Sequence, residues 1–247
     1  QFNNLESTPF MFPFRKGKAV LVLDNGKLTA AKSYSSYNRG PISIGYVYNS
    51  NNDTIDKDIS THAILRNESE LIITDGKLQI SGARGSSKKA NSVTTVFAVT
   101  NSTIKVNNGD INIGIDIKPS EWLNKPDNSY VKVIFGPDSD ITCRQIYSWQ
   151  SSQTSVIFDG ATLRWVEGGN SFIGHTTGLG DVYTIDPLGL TVDIPEGKSL
   201  TCDSNASSLK GEGGITKIGE GSITWNKVSS NGSKGMTFTG PLVVSNG

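Results

Sequence analysis

One arrangement of apolar and polar positions recurs along the chain. A short apolar segment runs into Asp, Asn or Pro-Glu, turns at a glycine and continues as a second short apolar segment. The copies are LVLDNGKLTA at 21–30, LIITDGKLQI at 71–80, IKVNNGDINI at 104–113, VIFDGATLRW at 156–165 and VDIPEGKSLTC at 192–202. Because Asn, Asp and Gly tolerate the positive φ that a tight reversal requires, the pattern predicts many short strands joined by sharp turns.

Two folds produce this pattern. A β-hairpin would use Asn-Gly in a type I′ turn and give an antiparallel sandwich, whereas a parallel β-helix would use the same residues at its corners. The motif glycines Gly26, Gly76, Gly109, Gly160 and Gly197 are 50, 33, 51 and 37 residues apart. These intervals fit one or two coils of roughly 20–25 residues with insertions, but they do not require them. The pattern alone therefore leaves both folds open.

Composition supports strands and excludes some functions. The chain of 247 residues has 27 glycines and is only 35% hydrophobic, which is typical of many short strands with polar turns. Its 23 basic and 23 acidic residues form no basic stripe, so we expect no nucleic-acid partner. Its apolar runs all fall short of the ~20 residues that span a bilayer, so we expect no membrane insertion. The run Ala19–Leu23 is predicted to be a buried strand.

The final third of the chain resembles a known family. It reads LKGEGGITKIGEGSIT at 209–224 and continues through MTFTG at 236–240 to LVVSNG at 242–247. This stretch, clearest over 209–247, resembles the autotransporter-associated passenger β-helix repeat of bacterial surface and secreted proteins. The resemblance implies an all-β, right-handed parallel β-helix in which Ile215, Ile218 and Ile223 point inward. For the N-terminal half, where only the turn pattern supports this fold, an antiparallel β-sandwich stays as the alternative.

The resemblance also implies a location and a role. It predicts an extracellular or cell-surface, outer-membrane-associated passenger, exported by a signal peptide and part of a longer chain. Its role would be that of a non-catalytic stalk or adhesin, with environmental or host glycans or surface proteins as partners. Gln1 fits removal of a signal peptide. Residues 1–20, rich in Phe and Pro, are predicted to cap a single β-helix over 21–247, with a further boundary near residue 150 left open.

Candidate chemistry is sparse. Cys143 and Cys202 would form either one disulfide or two buried thiols, and their number gives no metal-site spacing. Asp138-Ser139-Asp140 is either a calcium-binding run or an exposed turn, and we favour the turn. His175, near Asp181, is a conceivable general base, but a loop histidine is the simpler interpretation. We therefore predict no catalytic residue, no cofactor and no metal.

Two other functions remain open. Parallel β-helices include polysaccharide lyases and hydrolases, so a carbohydrate-active enzyme is the alternative, although the chain has no Asp-Asp pair. A glycan-binding platform would need clustered aromatic side chains. The candidate binding residues are Tyr34, Tyr37, Arg39, Tyr46 and Tyr48, for which packing between strands is an equally good explanation.

Overall fold

A computed structural model gives the fold. It describes residues 10–12, 17–30, 41–48, 59–84, 93–114, 129–148, 153–166, 173–175, 183–202, 209–225 and 237–245. All regular elements in these ranges are β-strands. They form three long parallel sheets and one short pair, so no strand pairing in the described ranges is antiparallel.

Sheet I contains the first strand of every coil. Its strands are β2 (Gly17–Asp24), β5 (Ile59–Arg66), β8 (Val93–Val99), β11 (Ser129–Phe135), β14 (Gln153–Phe158), β17 (Tyr183–Ile185), β20 (Leu209–Gly211) and β23 (Thr237–Phe238). Each strand pairs in parallel with the first strand of the next coil, which is the defining arrangement of a solenoid.

Sheet II contains the second strand of every coil. Its strands are β3 (Lys27–Ala30), β6 (Ser69–Ile73), β9 (Ser102–Val106), β12 (Asp140–Cys143), β15 (Ala161–Trp165), β18 (Leu190–Asp193), β21 (Ile215–Ile218) and β24 (Leu242–Val244).

Sheet III contains the third strand of the first five coils and one strand that precedes them. Its strands are β1 (Phe10–Phe12), β4 (Ile42–Tyr48), β7 (Leu78–Arg84), β10 (Asp110–Ile113), β13 (Gln145–Ser148) and β16 (Ile173–His175). In the next two coils the third strands, β19 (Ser199–Cys202) and β22 (Ser222–Trp225), form a separate parallel pair.

The prediction of a parallel β-helix is therefore confirmed, and the antiparallel sandwich is wrong for the described N-terminal strands. Parallel strands need a long crossover, and here the rest of each coil supplies it. The right hand of the coil follows the general rule for such crossovers and stays a prediction. The predicted division at residues 20 and 150 also stays a prediction. Sheet I runs through β2, which begins at Gly17, and through β11 and β14 on either side of residue 150.

The core lies between the sheets and consists of columns of inward side chains, one from each coil. One column on sheet II contains Leu28, Leu71, Ile104, Ile141, Leu163 and Val192, each at most 1% exposed. On sheet I, Phe135 stacks on Phe158 with ring centroids 5.6 Å apart, and Phe158 stacks on Tyr183 at 6.2 Å. The Tyr183 hydroxyl donates to the Gly174 carbonyl oxygen at 2.6 Å, so its polar group is satisfied inside the core.

The sheet II column changes character at its C-terminal end. The next position after Val192 is Lys217, which is 3% exposed and donates from Nζ to the Gly219 carbonyl oxygen at 2.6 Å. Ile218 is half-buried on the opposite side, so the prediction that it points inward is wrong. Strand geometry explains the outcome, because Ile215 and residue 217 lie two positions apart and must share one face. Ile215 is buried and Ile223 packs against the core, as predicted.

Two of the three corners are tight. At the first corner, between sheets I and II, strands are joined by two to four residues, and Asn25, Asn67, Asn101 and Asp138 there have positive φ. The second corner, between sheets II and III, is equally short in most coils. There Gly109 allows close stacking, since a Cβ at this position would lie 1.5 Å from the Gly76 carbonyl oxygen.

Candidate functional site

The outward side of sheet II is a surface of paired charges. Arg164 donates from Nε to both carboxylate oxygens of Asp140, at 2.9 and 2.8 Å, and from Nη1 to Asp193 Oδ2 at 2.5 Å. These three side chains belong to successive coils. The hydrogen bonds from Arg164 to Asp140, followed by the charges of both carboxylates, raise the pKa of Arg164 above its ordinary value. The trio therefore links three coils, and with one cation and two carboxylates it keeps a net charge of −1.

A second ion pair on sheet II joins the first two coils. Lys27 Nζ lies 2.5 Å from Glu70 Oε2, and the hydrogen bond from Lys27 lowers the pKa of that carboxyl group. At the nearby first corner, Asp24 accepts from Asn67 Nδ2 at 2.7 Å and from Arg66 Nη2 at 2.7 Å. Both contacts, that with Asn67 first, lower the pKa of Asp24.

The outward side of sheet I is different, because a column of aliphatic residues runs along it beside polar residues such as Ser60, Thr94 and Ser155. Its central column, one residue per coil, contains Val22, Ile64, Ala98, Ile134 and Ile157. Val20, two residues before Val22 on β2, is 64% exposed and Val22 is 44% exposed. The prediction that Ala19–Leu23 is a buried strand is therefore wrong for its outward side. We call the outward side chains of β2, β5, β8, β11 and β14 the aliphatic face.

The charges on the aliphatic face are almost all positive. Lys18 is exposed and Lys132 is half-buried. In the described strands of sheet I, the only carboxylate at an outward position is Asp24, which Arg66 already binds. The aliphatic face thus combines incompletely buried apolar groups with two lysines and with the ion pair of Arg66 and Asp24.

Sheet III offers less to a ligand. Ser43, Gln79 and Asn112 alternate with core isoleucines and so point away from the core, yet all three are at most 4% exposed. Gln79 Nε2 donates to the Gly114 carbonyl oxygen at 2.8 Å. These polar groups are buried on the outer side of the sheet, so they do not form an open binding surface.

The predicted aromatic platform is not tested. Tyr34, Tyr37 and Arg39 lie outside the described residues. Tyr46 and Tyr48 belong to β4, where their backbone is described but their side chains are not. The platform therefore stays a prediction.

The candidate catalytic and metal-binding groups find structural explanations where they are described. Asp138 is exposed in a turn with φ of 56°, as predicted, whereas Asp140 begins β12, is half-buried and binds Arg164 through both carboxylate oxygens. Asp181 and the side chain of His175 lie outside the described set. The structure shows no group of three or more acidic, His or Cys side chains suited to a metal within the described ranges.

The two cysteines have separate outcomes. Cys143 is a free, fully buried thiol that stands beside Trp165 in the register of sheet II. Burial, reinforced by the charge of Asp110, raises the pKa of this thiol far above its ordinary value. A protonated thiol without solvent access is a packing group and not a nucleophile. Cys202 lies in β19, and its side chain is outside the described part.

The third corner, between sheet III and the next strand of sheet I, has the longest connections. They comprise residues 49–58, 85–92, 114–128, 149–152 and 176–182, followed by 203–208 and 226–236 after the short pair. By contrast, first-corner connections such as 25–26, 67–68, 100–101 and 159–160 have two residues each. Most connections longer than five residues are therefore attached at the third corner, and 31–41 and 166–172 at the second corner are the exceptions.

Comparison with known proteins adds no identification. No family model, curated protein or solved structure matches the chain. The resemblance of 209–247 to the passenger repeat therefore stays a prediction. The described residues also contain no helix that could cross a membrane.

Sequence reasoning missed both outward surfaces. The sequence does contain an indication of the aliphatic face. AVLVL at 19–23 is apolar throughout, and VKVIF at 131–135 ends in three successive apolar residues, whereas a strand with one exposed side is apolar only at alternate positions. Strands covered on both sides show such runs. The ion-pair trio had no comparable signal, since its residues are 24 and 29 apart in sequence and meet only through the register of the coils.

Proposed function

We propose that this chain is a secreted or cell-surface β-helical stalk that presents ligand-binding connections along its third corner and has no catalytic role. The observation that supports the proposal most directly is the position of the long connections, because six of the eight that exceed five residues leave the coil at that corner, while 31–41 and 166–172 leave at the second corner. In solenoid proteins, insertions within repeats map to one face, which is often the binding face.

The composition of these connections suits adhesion. Residues 49–58 read NSNNDTIDKD, residues 85–92 read GSSKKANS, and residues 226–236 read NKVSSNGSKGM. Amide, hydroxyl and charged side chains can exchange hydrogen bonds with the hydroxyl groups of glycans or with polar protein surfaces. Because consecutive coils lie ~4.8 Å apart, a row of such connections would offer an extended ligand many contacts in sequence. The passenger resemblance supports the same role and the extracellular location.

The test is adhesion by variants with replaced connections. Residues 49–58 and 85–92 would each be exchanged for Gly-Ser sequences of equal length, and binding to immobilised glycans and to cell surfaces would be measured with the full chain. We expect at least a tenfold loss of binding with unchanged thermal unfolding, because neither segment contributes to the described core. The control variant is Lys105→Gln, whose side chain is exposed on sheet II, and it should bind normally.

Two results would contradict the proposal. Undiminished adhesion after both exchanges would show that the third corner is not the binding surface. Release of new reducing or unsaturated ends from a polysaccharide would instead favour the carbohydrate-active enzyme. Fractionation of the producing cells, with an antibody against this segment, tests the surface location separately.

A further inference from the structure

The aliphatic face combines two properties that are unusual for a surface that meets only water. In the middle of β2, β5, β11 and β14 the residues are apolar at successive positions, as in parallel strands that are covered on both sides, although Ser60, Thr94 and Ser155 at other outward positions are polar. Nevertheless Val20 and Val22 are 64% and 44% exposed, and Ile64, Ile134 and Ile157 are only partly buried. Most inward side chains of these strands are buried in the core of the coil, whereas the outward aliphatic groups can contact a partner.

The charges define the chemistry of that partner. Lys18 and Lys132 lie on the same face as the aliphatic column, and the only outward carboxylate in the described strands of sheet I, Asp24, is bound by Arg66. A partner that complements this face must therefore provide apolar groups next to unpaired anions. A second copy of the same face would bring lysines against lysines, which opposes self-association.

We propose that the aliphatic face docks this protein onto the surface of an anionic lipid bilayer. The aliphatic column of five coils extends over about 20 Å at the strand spacing of a sheet, and it is one row of side chains wide. Such a row can enter the boundary between headgroups and acyl chains, while the long side chains of Lys18 and Lys132 extend to the phosphates. Docking of this kind requires no spanning segment, and it uses residues different from those of the third corner.

The experiment is co-sedimentation of the full chain with lipid vesicles. Vesicles of phosphatidylcholine alone would be compared with vesicles of equal parts phosphatidylcholine and phosphatidylglycerol, at about 0.1 M and about 1 M NaCl, where the Debye length falls from ~10 to ~3 Å. We expect binding to the phosphatidylglycerol vesicles at low salt, and a loss of most of it at high salt. We expect much weaker binding to phosphatidylcholine at either salt concentration.

Matched variants distinguish binding through the aliphatic face from a general effect of the protein's net charge. Lys132→Glu on the aliphatic face should lower the partition coefficient by at least roughly fivefold, since one basic group near an anionic surface contributes about that factor. Lys105→Glu makes the same charge change on sheet II and should leave binding nearly unchanged. Val20→Asp combined with Val22→Asp should abolish binding, and because both side chains are exposed the variant should still fold.

Three results would overturn the proposal. The first is absence of binding to phosphatidylglycerol vesicles at low salt by a protein with the circular dichroism of a β-fold. The second is an equal loss of binding for Lys132→Glu and Lys105→Glu, which would indicate a general effect of charge. The third is a stable dimer in sedimentation equilibrium that Val20→Asp abolishes, which would assign the face to a second copy. Normal adhesion by variants that no longer bind vesicles would leave the proposed role of the third corner intact.

Discussion

Sheets I and II belong to the same coils and enclose the same core, yet their outward side chains differ in kind and in their contacts. On sheet II the outward charges bind one another across coils, as in the contacts of Arg164 with Asp140 and Asp193. On sheet I the outward positions combine aliphatic groups with cations such as Lys132. Inward positions must fill the core, so they are similar on both sheets. Outward positions are free of that requirement, and there a surface either holds coils together or stays available to a partner.

The largest effect is expected from a substitution at an inward position, where the side chain fills the core. Phe158 and Ile157 are neighbours on β14, but Phe158 is fully buried between Phe135 and Tyr183 while Ile157 lies on the aliphatic face. Phe158→Ala should reduce the free energy of unfolding by about 3–5 kcal/mol, because it removes a stacked ring and leaves a cavity. Ile157→Ala should cost less than about 1 kcal/mol. Urea unfolding followed by circular dichroism measures both.

Ile157→Ala is the control for Phe158→Ala, because it shortens a side chain on the same strand but on its outward side. Equal losses for the two variants would mean that the aliphatic face is covered within the protein, and the contrast between inward and outward positions would fail. A loss for Phe158→Ala below about 1 kcal/mol would mean that neighbouring coils collapse into the cavity.

The sequence pattern predicted sharp corners because these have chemical requirements, and the resemblance of 209–247 to the passenger repeat then favoured the solenoid over the sandwich. The positive φ of Asn25, Gly76 and Asn108 confirms the prediction that the recurring Asn and Gly residues lie at sharp turns. The irregular spacing of the motif glycines also has an explanation. Gly26 and Gly160 lie at the first corner, whereas Gly76, Gly109 and Gly197 lie at the second. The only interval between equivalent corners of consecutive coils is therefore the one of 33 residues that separates Gly76 from Gly109.

What the sequence could not predict depends on register between coils. Register partners on sheet I advance by 42, 34 and 36 residues through Leu21, Ala63, Phe97 and Val133, and then by 23, 27 and 26 through Val156, Tyr183 and Leu209. The long third-corner connections, together with 31–41 at the second corner of the first coil, cause the larger steps and hide the repeat in the N-terminal half. Without that register, neither the Arg164 contacts nor the aliphatic column can be predicted from the sequence. The burial of Lys217 could not be predicted either, because lysine usually lies at the surface.

A smaller effect is expected from the ion pairs that distinguish sheet II. Arg164→Met removes both contacts and leaves Asp140 and Asp193 without their shared cation. Since these side chains are 23–45% exposed, the loss should be about 1 kcal/mol and should shrink in about 1 M NaCl. Lys132→Met makes the same kind of change on the aliphatic face, where no carboxylate is lost as a partner, and should leave stability unchanged. A loss for Arg164→Met that salt does not reduce would assign it to packing of the arginine stem.

The smallest effect is the pH dependence of the exposed ion pairs at the first coil. The pKa values of Asp24 and Glu70 are lowered in the folded protein, the first mainly by Asn67 and Arg66 and the second by Lys27. A carboxyl group with a lowered pKa stabilises the fold above its unfolded pKa, and this contribution is lost as the pH falls through the folded value. The window therefore begins near the ordinary values of 3.8 and 4.5 and extends downward. Asp24→Asn combined with Glu70→Gln should lower the urea midpoint slightly at neutral pH and leave it equal to that of the parent protein below the window.

Glu220→Gln, an exposed glutamate outside these pairs, is the control and should follow the parent protein at every pH. A difference between the double variant and the parent that persists unchanged into acid would trace the effect to the amide side chains and not to the charges.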